Sequence, residues 1–96
     1  MIIIYDRKGL TELVSVDAES LDGIDLCGAN LESANLVQYS LKGANLSHAN
    51  LQHADLRLAD FSDADLTGAN LMGAEIEGTI FTNTKLSSAM LPIKKG

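Results

Sequence analysis

The stretch ANLSHANLQHADLRLADFSDADLTGANL, residues 44–71, decides the fold, because an apolar residue returns in it at every fifth position. The central residues are Leu46, Leu51, Leu56, Phe61, Leu66 and Leu71. Each follows an alanine by two places and an Asn or Asp by one. The beat continues outward without a break, through Leu21, Leu26, Leu31, Leu36 and Leu41 on one side and Ile76, Phe81, Leu86 and Leu91 on the other.

A period of five suits neither regular element. On an α-helix each step of five advances the side chain by about 140°, scattering the leucines around the cylinder. On a flat strand an odd step sends successive leucines to opposite faces. Within one unit, however, the small residue and the leucine are two apart, so a short extended segment points both inward. The chain must then turn before the next unit. Four units with corners of roughly 90° close a square coil of about 20 residues, and coils stack at roughly 4.8 Å. The pattern therefore predicts an all-β, quadrilateral parallel β-helix of about 3.75 coils, some ~18 Å tall. A leucine-rich repeat, with uneven leucine spacing in units of about 20–29 residues, does not fit.

The predicted inward ladder includes Leu26, Leu31, Leu46, Leu51, Phe61, Leu66, Leu71 and Phe81. Phe61 and Phe81 are 20 residues apart, so they fall on one column and are expected to stack. Asn and Asp before each leucine suit a chain that bends repeatedly, because their side chains bond nearby backbone. Gly23, Gly28, Gly43, Gly68, Gly73 and Gly78 all stand two places after a central residue, at the corners. Residues 21–91 form this repeat. Residues 1–20 precede it as an N-terminal cap, read as a short β-hairpin, with a helical turn over Thr11 to Val14 as the alternative. Residues 92–96, opening on Pro92, form a C-terminal tail. Tyr39 replaces a small residue and is expected to help close the N-terminal end.

The runs Ala29-Asn30-Leu31-Glu32-Ser33, Ala44-Asn45-Leu46-Ser47-His48, Ala54-Asp55-Leu56-Arg57-Leu58, Ala59-Asp60-Phe61-Ser62-Asp63 and Ala64-Asp65-Leu66-Thr67-Gly68 resemble the pentapeptide repeat family. The resemblance implies a right-handed coil and a noncatalytic scaffold or protein–protein interaction module of unassigned partner. Some members of that family imitate duplex DNA and bind type II topoisomerases. The alternative expectation is thus a DNA-mimicking regulator or protector of DNA gyrase.

Charge sharpens the choice. Seven Lys and Arg against thirteen Asp and Glu leave a net charge of −6, which argues against nucleic-acid binding, since phosphate contacts require clustered cations. The acids Asp55, Asp60, Asp63, Asp65, Glu75 and Glu77 concentrate in the C-terminal half and form the candidate interaction residues. Duplex DNA carries one negative charge per about 1.7 Å, so an 18 Å shaft needs about ten charges to imitate it. The apolar residues Ile80, Phe81, Met90, Leu91 and Ile93 form a candidate homodimer end.

The remaining residues point away from chemistry. His48 and His53 lack a third ligand of fixed geometry, so no metal is expected. Ser47, His48 and Asp65 have the residue types of a hydrolytic triad, but a convex shaft offers no water-excluding pocket, and neither enzyme activity nor a cofactor is expected. The single Cys27 reads as an inert surface thiol. No apolar run approaches the ~20 residues of a membrane span, and the expected location is the cytoplasm.

Overall fold

The computed structural model describes residues 1–92. It opens with a hairpin of β1 (Ile2–Tyr5) and β2 (Glu12–Val16), paired antiparallel with Ile2 opposite Val16 and Tyr5 opposite Glu12 across a bulge. The helical-turn alternative over Thr11 to Val14 is thereby excluded. Asp6 builds the connection: its Oδ1 accepts from the backbone N–H groups of Leu10 (2.9 Å) and Thr11 (3.2 Å), and its carbonyl accepts from Gly9 (3.0 Å). The backbone donors of Leu10 and Thr11 hold the Asp6 carboxyl below the usual carboxylate range.

From Leu21 onward the chain turns once per five residues. In each unit the N–H three places after the central residue donates to the central carbonyl, as from Ala29 to Leu26 (3.1 Å) and Ala54 to Leu51 (3.1 Å). The third residue of each turn has positive φ, as a type II turn requires. All fourteen corners from Gly23 to Ser88 obey this, six of them glycines and eight of them not: Ser33, Gln38, His48, His53, Leu58, Asp63, Asn83 and Ser88. The Asn, Asp or Ser before the central residue braces the turn by accepting from the N–H two places on, as Asn45 does from Ser47 (3.0 Å) and Asp65 from Thr67 (2.9 Å).

Coils pair at a spacing of 20 residues. Leu26 N–H donates to the Asn45 carbonyl (2.7 Å), and Asn45 N–H donates to the Ile24 carbonyl (2.8 Å). Parallel bridges of the same offset run from Asp25–Asn45 to Asn70–Met90. The result is the expected right-handed quadrilateral parallel β-helix.

The core is a column of leucines lined by alanines. Leu31, Leu46, Leu51, Phe61, Leu66 and Leu71 are fully buried, Leu26 is buried, and Ala44, Ala54, Ala59, Ala64 and Ala69 fill the narrow positions. Each fully buried leucine contributes about 1.5–3 kcal/mol of transfer free energy. The Phe61 and Phe81 rings stack with centroids 5.9 Å apart and planes 6° from parallel. Phe81, expected in the ladder, is only half-buried, because no described coil covers its far side.

The two ends differ. At the N-terminal end Ile4 is fully buried in the leucine cluster, and the end of β1 stands in for a preceding coil: Asn35 N–H donates to Tyr5 and Arg7 N–H to Ser33 (both 2.8 Å). Tyr39 packs half-buried against the same cluster. At the C-terminal end Ile76, Phe81 and Leu86 are half-buried, while Ile80, Met90 and Leu91 are exposed. Thr79 and Thr84 occupy the alanine position there, and their hydroxyls donate to the carbonyls of Leu56 (2.6 Å) and Phe61 (2.7 Å). Those bonds satisfy the two hydroxyls near the core, each sharing a carbonyl that already accepts the turn N–H of Ala59 or Ala64.

Candidate interaction surface

The 20-residue stacking sorts outward side chains into four faces. The six candidate acids divide among three of them. Asp60 and Asp63 lie on the face over Leu41, Phe61 and Phe81; Asp65 lies on the face over Leu46 and Leu66; Asp55, Glu75 and Glu77 lie on the face over Leu36, Leu56 and Ile76. The structure therefore does not gather them into one acidic surface.

Most of these carboxylates are engaged within the molecule. Asp55 is buried and grips Arg57 with both oxygens, accepting from Nε (2.8 Å) and Nη2 (2.7 Å). Those bonds, ahead of every other influence, hold its carboxyl below the usual range. Glu75 takes Arg7 Nη2 at 2.9 Å and Arg57 Nε at 3.4 Å. Arg7 also donates from Nη1 to the His53 carbonyl (3.1 Å), so the hairpin turn is pinned to later coils. Asp60 accepts from the Ser62 hydroxyl (2.6 Å) and N–H (2.9 Å), which lower its carboxyl, and Lys42 Nζ approaches to 3.7 Å. The Asp65 carboxyl is held down by Thr67, through its hydroxyl and its N–H. Asp63 and Glu77 form no ion pair among the described residues.

The other candidate residues are placed as follows. Ile80, Met90 and Leu91 are 44%, 48% and 47% exposed, but they do not share a face: Ile80 lies on that of half-buried Phe81, whereas Met90 and Leu91 lie two corners away on that of Leu51 and Leu71; Ile93 lies outside the described residues. The His48 and His53 rings lie against the corners of the next coil, where only Gly68 and Gly73 leave room. No group of three or more His, Cys, Asp or Glu among the described residues is placed to hold a metal ion. The Ser47 hydroxyl donates toward Asn45 Oδ1 (2.7 Å) and Cys27 Sγ (3.2 Å) rather than to His48, so the triad pattern has no geometry behind it.

One feature escaped the sequence reading. Val37, Gln38, Arg57, Leu58, Glu77 and Gly78 line an open depression of about 520 Å³ on the face that also carries Asp55 and Glu75. Its signal was Leu58, the one apolar residue among the fourteen corners.

The pentapeptide repeat family model matches residues 40–78 and 59–91, in eight copies. Among solved structures, the chain is similar to a pentapeptide repeat protein from the cyanobacterium Cyanothece 51142, with 36% identity and a TM-score of 0.60 over 75% of this chain and 52% of that one. It is also similar to a pentapeptide repeat protein of the Arabidopsis thaliana thylakoid lumen, with 31% identity and a TM-score of 0.57 over 79% of this chain and 69% of that one. The chain thus spans about half the length of the cyanobacterial relative. A search of curated proteins finds no match.

Proposed function

Because the chain belongs to the pentapeptide repeat family, whose members have protein-interaction roles, we propose that it is a noncatalytic cytoplasmic scaffold that binds a partner protein through its outward faces. The observation supporting this is preorganisation. Outward side chains such as Arg57, Asp60 and Asp65 are fixed by turn hydrogen bonds and by the ion pair of Arg57 with buried Asp55, on a backbone laddered every 20 residues, so little ordering remains to be done on binding. The exposed Ile80, Met90 and Leu91 additionally support self-association through the C-terminal end.

The test is affinity capture with the whole chain from its source organism, followed by reconstitution of the binary complex from purified components and calorimetry. A saturable complex weakened by substitutions on one face and indifferent to the other three is expected. Absence of any binary complex at high micromolar concentration overturns the proposal.

The DNA-mimicking alternative draws less support. A net charge of −6 falls short of the about ten that an 18 Å stretch of duplex carries, and the acids are split among three faces and partly neutralised by Arg7, Lys42 and Arg57. Supercoiling by purified gyrase, with and without a quinolone, should be unaffected by an excess of the protein.

A further inference from the structure

Leu58 has no structural reason to be leucine. Its φ is +64°, a conformation that favours glycine and short polar residues, and its side chain is 56% exposed. Neither backbone preference nor burial selects it. It leans toward the next coil, where a Cβ on residue 78 would stand 2.5 Å from Leu58 Cδ2, so Gly78 permits the posture. Val37, half-buried on the preceding coil, supplies a second apolar wall of the same depression. The backbone beneath is already satisfied: Gln38 N–H donates to Arg57 (3.0 Å) and Leu58 N–H to Glu77 (3.1 Å). The depression therefore presents a rigid floor and apolar walls, with no strand edge to pair.

Charge at the rim selects the occupant. Arg57 is held by Asp55 and Glu75, and Arg7 by Glu75, so both cations of this face are compensated. The face carries Asp55, Glu75 and Glu77 against Arg7 and Arg57, three negative charges to two positive. Glu77, at the rim itself, is the acid of this face that forms no ion pair among the described residues, and its charge adds to the field that holds Arg57 protonated across the same depression.

We propose that this depression docks an extended segment of a partner protein bearing one apolar anchor, seated between Val37 and Leu58, and a Lys or Arg within two residues of it, paired with Glu77. The spacing follows from the coil separation of roughly 4.8 Å against the ~3.3 Å rise per residue of an extended chain. This rests on the scaffold reading and names the chemistry of its partner.

The probe is a synthetic nine-residue Gly/Ser peptide with a central Leu and a Lys two places away, titrated against the whole chain labelled at its Val and Leu methyls. Saturable shifts centred on Val37 and Leu58 are expected. Affinity should fall at least tenfold when Ser replaces the peptide's Leu or Glu replaces its Lys, and severalfold for Glu77→Gln. Leu58→Gly and Leu58→Asn both tolerate the left-handed corner, and each should abolish the Val37 shifts while leaving the circular dichroism spectrum intact. Gly78→Ala, which displaces Leu58, should weaken binding as well. Shifts confined to Leu91 and the C-terminal end, or equal affinity for the Leu58 variants, overturn the docking point. A captured partner that Leu58→Gly still retains also refutes the docking point and leaves the scaffold intact; a wild-type chain that forms no binary complex refutes the scaffold itself.

Discussion

Gly43 and Gly68 share one backbone conformation, with φ of +68° and +69°, but differ in what surrounds them. Around Gly43 nothing lies within 4 Å of an added Cβ, whereas at Gly68 that atom would stand 2.5 Å from His48 Nδ1 and 2.7 Å from Cε1. Alanine in the left-handed region is strained by roughly 1–2 kcal/mol. Part of this, about 0.4–1 kcal/mol, is offset because the unfolded chain loses freedom. Gly43→Ala should therefore cost about 1 kcal/mol. Gly68→Ala pays the same strain and must also swing the imidazole into solvent. Overpacking costs about 1–3 kcal/mol, and an exposed ring that can rotate away belongs at the lower end. The total is about 2 kcal/mol. For a domain of this size each kcal/mol moves the melting temperature by roughly 4–8 °C, so Gly68→Ala should lose about twice what Gly43→Ala loses. Introducing His48→Ser first should erase the excess, giving a coupling of about 1 kcal/mol in a double-mutant cycle followed by circular dichroism in heat and urea. Equal losses for the two glycines, or an excess that persists without the imidazole, would refute the steric account of the corner.

Leu46→Asp places an unpaired charge in a fully buried position and should abolish the folded circular dichroism signal at 25 °C, whereas Gln52→Ala should shift stability by no more than about 0.5 kcal/mol. The carboxyls of Asp6, Asp55, Asp60 and Asp65 all lie below the ordinary 3.8 in the folded chain, so the stability they confer is present above that pH and is lost as pH falls through their folded values. Urea midpoints should hold steady from neutrality to about pH 5 and drop below about pH 4. Asp55→Asn should lower the midpoint at pH 7 and flatten the acid decline. If the C-terminal end self-associates, light scattering should report a concentration-dependent mass that Phe81→Asp returns to that of one chain; a wild-type monomer at millimolar concentration contradicts it.

The coil was legible because its two signals coincide in phase: the leucine every five residues and the alanine two places before it. Their period alone assigned the faces and paired Phe61 with Phe81. Corner conformation was only partly legible. Glycine marks six of fourteen corners, and nothing in His48, Gln38 or Leu58 read singly announces a positive φ, because the ladder on both sides imposes it. The clamp from Arg7 to Glu75 was invisible for a different reason: 68 residues separate them, and the direction in which the hairpin turn lies is set by Tyr5 pairing with Asn35, outside the beat. The acids looked like one cluster because they are near in sequence. The chain turns a corner every five residues, so such neighbours part onto different faces, and Asp55 meets Glu75, not Asp60.

The coil has a consequence for how such a chain tolerates insertion. Its interior reads the sequence modulo five, since nearly every unit offers an apolar centre and a small residue to the axis. Its exterior reads modulo twenty, since only residues a full circuit apart meet. Inserting five residues after Leu58 leaves each later leucine inward but rotates everything beyond by a quarter turn. Glu75 would leave Arg7 and Arg57, Gly78 would leave Leu58 and the Thr79 hydroxyl would leave the Leu56 carbonyl, while apolar residues still fill the axis. Stability and surface identity are thus inherited under different rules. Single added units keep the axis filled, yet residues beyond an insertion keep their face only when whole circuits are added.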